Sequence, residues 1–301
     1  MVLGDIMLKI GIFGLGAVGI SIYKELNGYK ELYALCDKNR IEAYSKNKIF
    51  YNGEILNINY TDNLIMDLVI VCVKNYQLKD SINDLNKFIN SKTIILPMLN
   101  GIEAHDYLKS IYKYNRVLYG VINIEANKID NKVIASKIIN LQFGDEYNYY
   151  LREPLIKIKK IFDSFNINNH IYHNMKRRMW TKWTLNIGIN QISALYNYTY
   201  KDMSEPKVKE YLFNIFDEVY NVSLKYNIGL TLDDINDLKN MVNNFNSNRV
   251  TSLTVDFNKG GLNEIDSFGK KILELADNKN IDVPYNKDLY FKLKEKDLNR
   301  K

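Results

Sequence analysis

The sequence predicts an α/β fold, with a parallel sheet covered on both faces in its first half and a mostly helical second half. Three observations carry this. Short apolar, β-branched runs alternate with helical patterns as far as about residue 143. A glycine-rich turn directly follows the first of those runs. Strand pattern fades after "HIYH" at 170–173, and long segments of helical period take over.

In order, "LKIGIF" (8–13) predicts a buried strand and "AVGISIYKEL" (17–26) the helix behind it. "LYALC" (32–36), "DLVIVCV" (67–73) and "TIILPM" (93–98) predict further strands, with a helix over 77–89. Continuous apolar runs of this kind suit strands buried on both sides by crossover helices. Extra strands are expected around 117–143, in "RVLYGVINIEA", "KVIAS" and "IINLQFG". Segments 152–165, 174–196, 205–226, 232–246 and 260–278 predict helices. The expected division is a first domain over 1–172 and a helical substrate and catalytic domain over 173–301.

Composition excludes several classes. Of 301 residues 46% are hydrophobic and 25% charged, the texture of a globular chain long enough for about two domains. The net charge of +6 is scattered, which suits an anionic small ligand and gives no basic, aromatic-interleaved surface for nucleic acid. The longest apolar run, "LVIVCV", is far short of the ~18 residues of a membrane span. Without a signal pattern the expectation is a cytoplasmic protein, with Met7 rivalling Met1 as the natural start. Cys36 and Cys72 read as reduced core thiols, and His170 and His173 have no companions at metal-ligand spacing, so no metal is expected.

"GIFGLGAVG" places Gly14, Gly16 and Gly19 in the spacing G-x-G-x-x-G, between a strand and a helix. Gly14 permits the tight turn, Gly16 admits a pyrophosphate, and Gly19 lets helix and strand pack closely. The N–H groups that open the helix face the phosphates. Leu15, Ala17 and Val18 complete this cofactor-binding turn. The first domain is therefore read as Rossmann-like and NAD(P)-binding. Asp37, ending the second strand, stands where an acid would bond a ribose 2′-hydroxyl, and Lys38 and Arg40 stand within reach of a 2′-phosphate. NADP(H) is the expectation, with NAD(H) left open.

"MWTKWTLNIGINQISAL" (179–195) reads as an apolar helix opposed only by Gly188. Lys182, Asn186 and Asn190 recur every four residues along one edge, an ammonium followed by two amides. A solvated face explains such a seam, and so does a substrate site.

The blocks "GLGAVG", "VCVKNYQ" (71–77), "LNGIE" (99–103), "KWTLNIGIN" (182–190), "TSLTVDF" (251–257) and "NEID" (263–266) resemble, in order, those of ketopantoate reductases, the 2-dehydropantoate 2-reductases. The resemblance spans nearly the whole chain. It implies NADPH-dependent reduction of 2-dehydropantoate to pantoate, toward pantothenate and coenzyme A, in the cleft between two domains. It further implies Lys182 as catalytic lysine and Glu264 as its partner carboxylate. Asn186 and Asn190 would contact substrate, Ser252 would lie near the substrate carboxylate, and Asn100 and Lys74 would stand at the nicotinamide end, Asn100 also facing substrate. Departures from the family pattern are Asp37 where many relatives have Arg, Arg249 where Asn is usual, "SLTVD" for S-M-L-Q-D, and Gly261 replacing a basic residue.

Hydride delivery to a ketone leaves an alkoxide needing a proton and a positive field, and Lys182 can supply both. Three competing structural roles are a cap at Asn263 for Glu264, a turn dipeptide for Asn100-Gly101, and a surface exit charge for Lys74. The functional rivals are a reductase of another branched 2-keto acid and a non-catalytic NADP-sensing regulatory protein. The expected partner is a small 2-keto acid, with a homodimer left open.

Overall fold

Buried aliphatic runs form the strands where the sequence places them. The computed structural model describes residues 7–138, 140–260 and 263–300, so Met1 and Gly261 lie outside the described residues. β1 (Ile10–Phe13) is buried throughout and leads into α1 (Ala17–Glu25), β2 (Leu32–Leu35) and α2 (Lys38–Lys46). Two-residue strands β3 (Phe50–Tyr51), β4 (Glu54–Ile55) and β5 (Tyr60–Thr61) precede β6 (Leu68–Val71), which is again wholly buried.

The helix expected over 77–89 is instead broken into α3 (Asn75–Leu78), α4 (Ile82–Leu85) and a 3₁₀ turn at Asn86–Phe88. Leu78, Leu85 and Phe88 are buried at helical spacing, which explains the continuous pattern. The break comes at Ser81, whose hydroxyl donates to the Leu78 carbonyl at 2.9 Å and competes with the helical ladder.

β7 (Ile94–Pro97), α5 (Glu103–Ile111) and β8 (Arg116–Val117) follow. The expected extra strands are β9 (Tyr119–Asn123), β10 (Ala126–Ile129), β11 (Lys132–Ala135) and β12 (Asn140–Gly144), and α6 (Glu153–Ser164) and β13 (Asn169–His170) come next. The main sheet has the order β5-β2-β1-β6-β7-β8 with parallel pairing throughout, and β1 lies between β2 and β6. Two small sheets, β10-β11-β3-β4 and β13-β12-β9, complete this part. Crossing helices cover the main sheet, so Ile10, Ile12, Ile20, Ile22, Leu68 and Ile70 share one dry cluster.

The second part is helical: α7 (Met175–Tyr196), α8 (Pro206–Lys225), α9 (Leu232–Asn243), α10 (Ser252–Asn258), a π-helical turn at Asp266–Lys270, α11 (Lys271–Asp277) and α12 (Pro284–Asn299). Gly188 does not weaken α7 idly. A Cβ there would stand 2.2 Å from Leu212 Cδ1 and 2.9 Å from Phe216 Cε1, so the glycine lets α8 approach. The continuous helix expected over 260–278 is not seen, because Asn263 and Glu264 are non-helical and the first full turn is π. The sequence reading contained neither α10 nor α12. In α12 the buried positions include Asn286 and Asp297 beside Leu289 and Leu293, which hides the apolar period. Glu218 of α8 makes that burial tolerable, accepting from the Tyr285 N–H at 2.8 Å, the Asn286 N–H at 2.9 Å and Asn286 Nδ2 at 2.7 Å.

By its contacts the chain divides into two units. One holds the residues up to Leu99 together with Glu103–Met175, and the other Asn100–Ile102 together with the chain from Lys176 onward.

Candidate active site

In the first unit the glycine turn has the shape its spacing implies. Gly14 adopts a φ of 100°, and a Cβ on it would lie 2.7 Å from the Val73 nitrogen. A Cβ on Gly19 would lie 2.0 Å from the Gly14 carbonyl oxygen, so only glycine lets α1 start this close to β1. Gly16 differs. A Cβ there would meet nothing nearer than the Cys72 carbonyl oxygen at 3.9 Å, so its outward face is an open cradle that a side chain would fill. Gly16 is also the N-cap of α1, with no side-chain cap and no acid in the first turn. The opening N–H groups and the positive helix end are thus left to an anionic ligand, and these residues fit a dinucleotide's phosphates.

Asp37 caps α2, its Oδ1 accepting from the Arg40 N–H at 2.9 Å. That bond and the Arg40 guanidinium, 3.3 Å from the other carboxylate oxygen, hold its carboxyl below the usual range. Lys38 lies 3.9 Å from Asp62, with an exposed side chain. Lys74 follows β6 as N-cap of α3, its N–H donating to Gln77 Oε1 at 3.2 Å.

In the second unit three residues from three segments meet. Lys182 Nζ, on α7, donates to Asn100 Oδ1 at 3.3 Å, and Asn100 Nδ2 donates to Glu264 Oε2 at 3.4 Å. Asn100 thus orients its amide between a cation and an anion, and is more than a turn residue. Glu264 is buried, and beside it Asn263 Oδ1 accepts from the Ile265 N–H at 3.2 Å. Burial pushes the Lys182 ammonium down to about 8, and Glu264 opposes that shift by favouring the charge.

Of the anchors of this trio, Trp183 is the core aromatic its sequence suggests, and Asn263 with Asp297 is a support that no local pattern announces. Trp183, next to Lys182, is buried and donates Nε1–H to the Ser267 carbonyl at 3.0 Å, tying α7 to the π-turn just after Glu264. Asn263 Nδ2 donates to Asp297 Oδ1 of α12 at 3.1 Å, and Asp297 pairs with Arg300. Nothing local in "NEID" signals a bond to a residue so far along the chain; only the polar positions inside α12 hint at it.

Asn186 and Asn190 continue the edge of α7. Asn190 is buried, Asn186 partly so, and among the described residues neither side chain has a hydrogen-bond partner. Their amides keep full donor and acceptor capacity. Ser252 is exposed in the first turn of α10. Its neighbours fix that turn: Thr254 Oγ1 donates to Ser193 Oγ of α7 at 2.7 Å, and Thr251 caps the helix. Lys182, Asn100 and Glu264 are joined by contact, Asn186 and Asn190 share their helix, and the turn that holds Ser252 is tied to α7 through those neighbours. Arg249 accepts at its carbonyl from the Tyr200 N–H at 2.9 Å. Among the described residues, no cluster of three or more His, Cys, Asp or Glu side chains could hold a metal, and no helix is long and apolar enough to cross a membrane.

Comparison with known proteins finds a family for both halves of the chain. The profile of the ketopantoate reductase PanE/ApbA family matches residues 10–146, and that of the ketopantoate reductase PanE/ApbA C terminal matches 174–297. A 2-dehydropantoate 2-reductase of Aquifex aeolicus is 22% identical over 97% of this chain and 98% of its own. A dimeric ketopantoate reductase from Staphylococcus aureus has the same fold, at TM-score 0.82 and 20% identity over 97% of this chain and 99% of its own. So does a D-mandelate dehydrogenase solved with NADH and anilino(oxo)acetate, at TM-score 0.85 and 18% identity over 97% and 99%. With both halves matched in order, the chain belongs to the ketopantoate reductase PanE/ApbA family.

Proposed function

We propose that this chain catalyses the NADPH-dependent reduction of 2-dehydropantoate to pantoate, a step toward pantothenate, with Lys182 as general acid. The observation that carries the reading is the chain of contacts from Lys182 through Asn100 to Glu264, with the ammonium drawn down to about 8. The cofactor, when bound at the glycine turn, supplies the hydride for the C2 carbonyl carbon. As that carbon is reduced, Lys182 Nζ gives a proton to the carbonyl oxygen and becomes a neutral amine that solvent recharges. A catalytic pKa near working pH makes such a transfer efficient in both directions. Glu264 keeps the ammonium charged before the step, and Asn100 holds the two apart at fixed orientation. Asn186 and Asn190 present uncharged donors and acceptors to the substrate's hydroxyl and carboxylate, Ser252 adds a hydroxyl for that carboxylate, and Lys74 lies toward the nicotinamide end.

The NADPH preference rests on Asp37 being engaged with the start of α2 while Lys38 and Arg40 leave exposed cations at that helix end. A second reading has one observation in its favour. Asp37 still stands just after β2 as an acid, and the D-mandelate dehydrogenase of like fold was solved with NADH. On that reading the chain reduces another 2-keto acid with NADH.

Lys182→Met is the direct test. Turnover of 2-dehydropantoate with NADPH should fall by about 10²–10⁴-fold, the usual weight of a general acid. Unaltered turnover would refute the assignment. A panel of keto acids with each nicotinamide cofactor separates the two readings.

A further inference from the structure

A lysine outside every motif lies against the glycine turn. The hairpin of β10 and β11 packs on α1, the helix that the turn opens. Lys128 in β10 donates from Nζ to the Leu15 carbonyl oxygen at 2.8 Å, between Gly14 and Gly16. The same ammonium stands 5.6 Å from the centre of the Tyr44 ring on α2, the helix that Asp37 caps. Tyr44 is in turn stacked on Tyr60 of β5, with ring centres 5.7 Å apart and planes within 10°. A full positive charge is therefore fixed beside the start of α1, which a dinucleotide's phosphates would approach, and against the last turn of α2.

Position and energetics agree. Lys128 is partly buried, and desolvation pushes its ammonium below the usual lysine range. A phosphate oxygen would give that ammonium a charge-assisted bond. The Leu15 carbonyl also fixes the direction of the side chain, so little conformational freedom remains to be lost on binding.

We propose that Lys128 is a cofactor-binding residue whose ammonium, held on the Leu15 carbonyl, contacts a phosphate of the dinucleotide, either its pyrophosphate or the 2′-phosphate of NADP(H). The inference rests on the dinucleotide reading of the glycine turn but not on the identity of the keto acid.

The test needs no substrate. Dissociation constants for NADPH and NADH are measured by isothermal titration on the parent chain, Lys128→Met and Lys128→Arg, over a range of salt. Lys128→Met should weaken binding by about tenfold or more, as the loss of one charge-assisted bond does, and should make its salt dependence shallower. Lys128→Arg should recover most of the affinity. A loss shared by both dinucleotides assigns the pyrophosphate, and a loss confined to NADPH assigns the 2′-phosphate. Binding within twofold of the parent for both cofactors overturns the proposal. So does a weakening whose salt dependence is unaltered, which marks Lys128 as a mere clamp on the turn. A chain that binds dinucleotide through Lys128 yet reduces no keto acid refutes only the substrate reading, and one that binds neither dinucleotide refutes both.

Discussion

At the scale of single residues, two opposed influences set the proton affinity of Lys182. Desolvation is the larger and favours the neutral amine, while the Glu264 carboxylate favours the ammonium. The general acid proposed for Lys182 must enter the reaction protonated, so on that proposal kcat/KM for keto-acid reduction should fall as pH rises through about 8. In Glu264→Gln the supporting charge is gone and desolvation remains, so that alkaline limb should move to lower pH. A pH profile of the variant whose limb stays in place would show that Glu264 does not act on the lysine. Lys182, Asn100 and Glu264 were legible in the sequence because each lies in a short block with a fixed order along the chain. Asn263 and Asp297 were not legible as supports, because their bond joins positions far apart and leaves no local pattern.

At the scale of elements, the strands were the easiest to read. β1, β6 and β7 are aliphatic runs buried within one parallel sheet, and burial on both faces leaves an uninterrupted apolar signature. α1 and α7 were legible for their helical period, but α12 was not, since its inward positions include an amide and a carboxylate satisfied by distant partners. The break at Ser81 was hidden for the opposite reason: the apolar period continues across it. α1 and the turn approach closely where Gly19 faces the Gly14 carbonyl. Gly19→Ala would force backbone apart instead of a flexible side chain. Its expected effect is a loss of ~1–3 kcal/mol in urea unfolding, the scale of an overpacked core, even after the helix propensity gained from alanine. Unfolding at the parent's urea midpoint would show that α1 can shift without cost.

At the scale of the whole molecule, the surplus of +6 suits a protein whose expected ligands, a dinucleotide and a keto acid, are both anions. Ligand that binds only the native chain adds stability by mass action, about 2.7 kcal/mol at a hundredfold excess over Kd. NADPH should therefore raise the melting temperature by several degrees, and NADH at equal concentration by less; an equal rise would remove the argument for NADPH preference. The route of the backbone has its own outcome. Asn100–Ile102 belongs by its contacts with the helical unit, yet it is encoded between β7 and α5, seventy-odd codons ahead of the rest of that unit. A gene split after Met175 would hand Lys182 and Glu264 to one polypeptide and the Asn100 amide between them to the other. Two such halves would regain reductase chemistry only by reassociating, and a shuffled enzyme that exchanges one half for a relative's must carry a compatible "LNGIE" with it.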